Sequence, residues 1–173
     1  DFIDSFRLAG KSLEPDDRRD ISSLEEAVDT LMKEVADTLG MTEKQVGRML
    51  EDEMIKLGSD RVAFPTISAS GPNGSLPHAI PSDRVIQEGE LLTLDFGARV
   101  NGYISDMTRT IGFGKISPEL RELYERVKVA QKMALDAIKP GMRCSDVDKV
   151  ARDYLDERYP GAFGHSLGHG VGL

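Results

Sequence analysis

The chain contains no tryptophan and a single cysteine, Cys144. One cysteine excludes an intrachain disulfide, so a reducing cytoplasm is the expected location, and the lone thiol reads as structural rather than nucleophilic. Positive charge is also short: 22 Lys and Arg stand against 30 Asp and Glu, a net charge of −8. That balance argues against a nucleic-acid phosphate surface and leaves cationic metal ions as small partners. No apolar run approaches the length of a membrane span, and the N-terminus lacks the basic and apolar regions of a signal peptide, so no membrane partner is expected. The scarcity of aromatics, 6% of the chain, decides nothing. What is there is ordinary for a soluble globular protein: 39% apolar, 30% charged, and 173 residues, enough for one domain with a sizeable core.

The most informative stretch runs from Leu91 to Gly112, two β-rich runs joined by Asn101-Gly102. Asn-Gly between such runs predicts a two-residue type I′ hairpin. A tight turn sets Val100 opposite Tyr103, Gly97 opposite Asp106 and Asp95 opposite Thr108. Asp95 and Asp106 then become diagonal neighbours on one side, roughly 7–8 Å apart at the backbone, so that their carboxylates can meet. Thr93, Thr108 and Thr110 share that side. The other side reads Leu92, Leu94, Phe96, Ala98, Val100, Tyr103, Met107 and Ile111, a core face, with Ser105 and Arg109 out of pattern. Two solvated acids on an outer face is the plainer alternative, and a bulge would shift the parity.

Along the rest of the chain, Ser22 with Glu25 forms a capping box, and Leu24, Val28, Leu31, Val35 and Leu39 follow at helical spacing up to Gly40. Thr42 with Gln45 opens a second helix carrying Val46, Met49, Leu50, Met54 and Leu57. Helices are expected near 22–39, 43–57, 118–139 and 145–157, the last two opened by Ser117-Pro118 and capped by Ser145. Strands are expected near 62–70, 91–100 and 103–112. Residues 70–83, SGPNGSLPHAIPSD, read as a loop. A faint repeat relates Gly40-Met41 and the helix after it to Gly141-Met142 and its helix, and at the same offset the strand Val62–Ser70 to Phe163–Val171, which points to a duplicated fold.

All three histidines fall in loop or strand-end sequence: His78 in SLPHAIP, and His165 and His169 in FGHSLGHGVGL. A lone histidine is usually a bystander. Three beside Gly/Pro-rich loops, in a chain with a paired-Asp hairpin, are a less ordinary set, and imidazole with carboxylates suits hydrolytic Mn, Co, Zn or Fe sites. Glycines at 164, 168, 170 and 172 allow close backbone approach to a substrate or metal shell. GHGVG has neither the Lys-Ser/Thr of a P-loop nor the spacing of a dinucleotide loop.

ASGPNGSLPH, LDFGARVNGYISDMTRT and GHSLGHGVGL, occurring in that order, resemble the pita-bread metallopeptidases, which include Xaa-Pro dipeptidase, aminopeptidase P, methionine aminopeptidase and creatinase. The resemblance runs from about Asp20 to the last residue. It implies an α/β fold of the α+β type: a curved, mainly antiparallel sheet with outer helices, internally duplicated. It implies two divalent metal ions (Mn, Co, Zn or Fe), with Asp95, Asp106 and His169 as ligands, and His78 and His165 lining the substrate pocket and stabilising the reacting carbonyl. SGPN followed by LPH, and SDMTRT after the turn, look like the Xaa-Pro branch. A metal-bridged hydroxide would then cleave the bond before proline in short peptides with proline in second position, and a homodimer is compatible with the resemblance. The family's two glutamate ligands follow the Gly-His-Gly segment. The expectation is therefore a catalytic domain over 21–173 that is C-terminally incomplete and inactive by itself, with 1–20 a linker or the tail of an upstream domain. The alternatives are a non-catalytic peptide-binding pita-bread module, methionine aminopeptidase, and, least favoured, creatinase-like chemistry.

Overall fold

The computed structural model describes Thr30, Lys33, Val35 and residues 39–170. The expected linker 1–20, the Ser22/Glu25 capping box and Val171 lie outside them. The described chain divides into a unit ending at Ile116 and a second unit, Ser117–Gly170.

In the first unit Thr30, Lys33 and Val35 are helical. Leu39, expected as the last apolar contact of that helix, instead sits in a turn and is exposed, because Gly40 at φ +91° has already turned the chain away. Helix α1, Glu43–Lys56, starts where Thr42 and Gln45 close their capping box: Gln45 N–H donates to Thr42 Oγ1 at 3.2 Å, and Thr42 N–H donates to Gln45 Oε1 at 2.8 Å. Val46, Leu50 and Met54 form its buried stripe, while Leu57 is its exposed C-cap.

Strands β1 (Arg61–Val62), β2 (Ile67–Ser70), β3 (Leu91–Phe96), β4 (Ala98–Val100), β5 (Tyr103–Ile104) and β6 (Met107–Gly112) make two three-stranded antiparallel sheets, ordered β1-β4-β5 and β2-β3-β6. All three expected strands are thus cut at one level. The first breaks at Phe64-Pro65, where proline has no N–H for a ladder, and residues 63–66 bulge against Phe96 and Gly97. The hairpin breaks at Gly97, where a Cβ would lie 2.0 Å from the Ser105 carbonyl oxygen. Only glycine lets the two strands cross that closely. Core side chains Leu92, Leu94, Phe96 and Met107 join Val35, Ile86, Phe113 and the α1 stripe in one cluster. Beyond the break Ala98 still packs against the cluster, but Val100 and Tyr103, expected on the core face, are exposed at the tip.

The second unit pairs α2 (Pro118–Ala137), capped by Ser117, with α3 (Cys144–Asp156). Its small core is Ala130, Ala134, Val147, Ala151 and Leu155, with Tyr154, Phe163 and Leu167 against it. Leu123, Val127 and Ile138 on α2 and at its C-cap are exposed. The expected cap at Ser145 is corrected to Arg143, whose guanidinium instead bonds Asp146 one turn on. Residues 163–170 form no strand. An extended segment becomes a strand only beside a partner, and the described residues of this unit offer none. No helix among the described residues is long and apolar enough to cross a membrane.

Candidate functional site

The site grows from the hairpin. Asn101 at φ 51° and Gly102 at φ 88° give the left-handed pair that a type I′ turn needs. Val100 pairs with Tyr103 on the tip side of the break, and Phe96 with Met107 and Asp95 with Thr108 on the other. The count is unbroken across the gap, so Gly97 faces Asp106, and the bulge falls on the neighbouring strand. Alternation along the chain then sets Asp106 on the side of Thr108 and Asp95. There Thr108 Oγ1 donates to Asp95 Oδ1 at 3.0 Å, and the Thr93 and Thr110 hydroxyls lie 3.4 Å apart. Both aspartates are half-buried.

His78 is exposed in the loop between β2 and β3, at a turn where Ala79 N–H bonds the Leu76 carbonyl at 3.3 Å. The loop opens with a 3-10 turn, Gly71–Ser75. Gly71 sits at φ +51°, a backbone conformation that side-chain-bearing residues rarely adopt, and a Cβ there would displace the Glu90 carboxylate, whose Oε1 lies 2.5 Å away. One side chain holds both ends of this loop. Glu43, fully buried at the start of α1, accepts from the Ser70 backbone N–H (2.7 Å) and hydroxyl (2.9 Å), from Asn73 Nδ2 (3.0 and 3.1 Å), and from the Ser82 N–H (3.0 Å) and hydroxyl (2.7 Å). Burial pushes its carboxyl up, but the hydrogen bonds from Ser70 and Ser82 outweigh that and hold it below the ordinary carboxylate value. Arg84 extends the network, donating to Ser70 Oγ and Glu90 Oε2, each at 2.7 Å. The Arg84 hydrogen bond, against partial desolvation, lowers the Glu90 carboxyl, and Glu90 raises Arg84.

In the second unit His165 and His169 are exposed, each with Nδ1 against the next residue's carbonyl, Ser166 O at 2.8 Å and Gly170 O at 3.0 Å. A carbonyl only accepts, so Nδ1 carries the proton and, in the neutral ring, Nε2 presents its lone pair. Asp148 and Arg152, one turn apart on α3, pin this segment: Asp148 Oδ1 accepts from Leu167 N–H at 2.8 Å, and Arg152 donates to the carbonyls of Phe163 (2.5 Å) and His165 (2.8 Å) while lying over the Phe163 ring at 4.6 Å. Arg152 first, then the Leu167 N–H, holds the Asp148 carboxyl below its usual range. A Cβ at Gly164, Gly168 or Gly170 would meet nothing within 4 Å, so packing inside this unit does not explain these glycines.

By the hairpin count Asp95 and Asp106 fall on one side of the ribbon, and His78 lies in the same unit, with His165 and His169 in the other. Among the described residues no group of three or more His, Cys, Asp or Glu is arranged to hold a metal ion. In chemical type, carboxylates in the first unit and imidazoles in the second are donors that suit divalent ions. Sequence reasoning missed Glu43. Its place in a first helical turn reads as a helix-dipole complement, and only the serines at both ends of the loop hinted at a buried acceptor.

The model of metallopeptidase family M24 matches residues 20–173. The chain belongs to this pita-bread family. It is 46% identical over 137 residues to the Xaa-Pro dipeptidase of Pyrococcus furiosus, covering 79% of this chain and 39% of that protein. Among solved structures, prolidase from P. furiosus superposes with a TM-score of 0.80 at 43% identity, covering 86% of this chain and 44% of that one. The X-Pro aminopeptidase of Thermotoga maritima gives 0.79 at 41% identity, covering 86% and 41%. The chain thus spans less than half the length of the curated relatives it matches.

Proposed function

We propose that residues 21–173 belong to the catalytic domain of a divalent-metal-dependent exopeptidase that hydrolyses the bond before proline in short peptides. The observation that supports this most is the hairpin: the pairings on either side of the break at Gly97 keep one count, which is consistent with Asp106 on the polar side that carries Asp95, while the opposite face is core. Paired carboxylates are costly to hold together unless a cation neutralises them. In this reading Asp95 and Asp106 hold metal, Thr108 fixes the Asp95 carboxylate, and His169 adds Nε2. Bound divalent ions would supply Lewis-acid polarisation of the scissile carbonyl and an activated water. His78 and His165 line the substrate pocket in this reading; His78 donates to the oxygen on which charge develops, and His165, whose Nδ1–H is held by the Ser166 carbonyl, can do so from Nε2 only as the imidazolium. Cys144 is exposed, and a reducing, cytoplasmic location belongs to this reading.

The test is a peptide panel with the complete protein loaded with Mn²⁺ or Co²⁺. Xaa-Pro substrates should be cleaved, and a chelator should abolish cleavage. Equal turnover of Met-Ala and Xaa-Pro peptides would favour methionine aminopeptidase. Binding of proline peptides without turnover would favour a non-catalytic module.

A further inference from the structure

The Glu43 network has no place in the reading above, and it is the most completely satisfied buried charge among the described residues. A helix N-terminus does not require it, since Thr42 and Gln45 already close the capping box. Its partners come from one loop. Oε1 takes the Ser70 N–H and hydroxyl, Oε2 takes the Ser82 N–H and hydroxyl, and Asn73 bridges both oxygens. Ser70 ends β2, and Ser82 lies just before the polypeptide returns along α1, where Lys44 N–H bonds the Ser82 carbonyl at 3.1 Å. Between them the segment from Ser75 to His78 is exposed. Short local bonds such as Leu76 N–H to Asn73 O (3.0 Å) shape that segment, but they cannot fix it to the body of the unit. Between Ser70 and Ser82 only Ala79 is buried.

We propose that Glu43 is the positioning residue for His78: its buried carboxylate ties both ends and the 3-10 turn of the Ser70–Ser82 loop to α1, and so sets where the imidazole is presented. The inference rests on the reading of His78 as a substrate-facing side chain. The chemistry demands an anion with two equivalent acceptor oxygens. Glutamine keeps one acceptor but turns an NH2 donor towards N–H and O–H donors, and aspartate, one methylene shorter, cannot reach Ser70 and Ser82 together.

The test compares Glu43→Gln, Glu43→Asp and Ser82→Ala with wild type in the complete protein, by amide hydrogen exchange, by the NMR resonances of the three histidine rings, and by steady-state kinetics. In Glu43→Gln, amides over 70–82 should exchange about tenfold faster or more while β3 and β6 amides keep their protection. The His78 resonance should move further than those of His165 and His169. Turnover should fall about tenfold, with metal content retained and KM changed less than about threefold. Glu43→Asp should give the same pattern, and Ser82→Ala, which removes one donor, a weaker version of it. If Glu43→Gln fails to fold, Ser82→Ala decides by the same readouts. An unmoved His78 resonance and unchanged loop exchange in a folded variant would overturn the proposal, as would protection lost evenly across β3 and β6, the sign of a merely structural role. A responding loop and His78 in a protein whose wild type leaves Xaa-Pro peptides intact would uphold the positioning and defeat the functional reading instead.

Discussion

At the residue scale the sharpest steric demand is at Gly97. With a Cβ 2.0 Å from the Ser105 carbonyl and 2.8 Å from Phe64 Cε1, Gly97→Ala must push backbone, and it should cost about 3 kcal/mol or more in denaturant unfolding. Glu43 gives a pH prediction whose sign follows from its lowered carboxyl. A group that titrates lower in the folded than in the unfolded state stabilises fully above its unfolded value, near 4.5, and that stability is lost as pH falls through the folded value. Glu90 and Asp148, also lowered, add in the same sense. Unfolding free energy should be flat above about pH 5.5 and fall below it, and Glu43→Gln should flatten part of that slope. The paired aspartates were legible because the turn type and strand alternation are local rules. Glu43 was not legible, since its six hydrogen bonds come from residues 27 to 39 positions away.

At the element scale, helix starts separate real caps from apparent ones. Ser117 accepts from Leu120 N–H at 3.2 Å, so Ser117→Ala should lower stability by about 1 kcal/mol, read by thermal or urea unfolding. Ser145 lies inside α3, after the Arg143 cap, so Ser145→Ala should change stability by less than about 0.5 kcal/mol. Three-letter capping signals located Thr42 and Ser117 correctly and misplaced the start of α3. There the Arg143–Asp146 pair spans the first turn, and no serine bond is needed. The strand breaks were hidden for another reason. Each run looked continuous because its composition is, and the interruption at Phe64-Pro65 and Gly97 arises only when β1 pairs with β4 and β2 with β3. The segment 163–170 has strand-like composition but pairs with no strand among the described residues, and no local pattern reveals that.

At the scale of the whole molecule, the proposed chemistry draws on two units: the aspartates and His78 from the first, His165 and His169 from the second. Two carboxylates and one imidazole bring less negative charge than two divalent ions carry positive. Calorimetry on the 173-residue chain alone should therefore show weak Mn²⁺ binding, and no tight pair of sites. The most direct test of the division between ligands and substrate-facing histidines measures metal content and Xaa-Pro turnover together, in the complete protein, for Asp106→Ala and His78→Ala. Asp106→Ala should lose metal and turnover alike, whereas His78→Ala should keep its metal and lose turnover about a hundredfold. Full metal content and activity in Asp106→Ala, or metal lost from His78→Ala, would contradict the assignment.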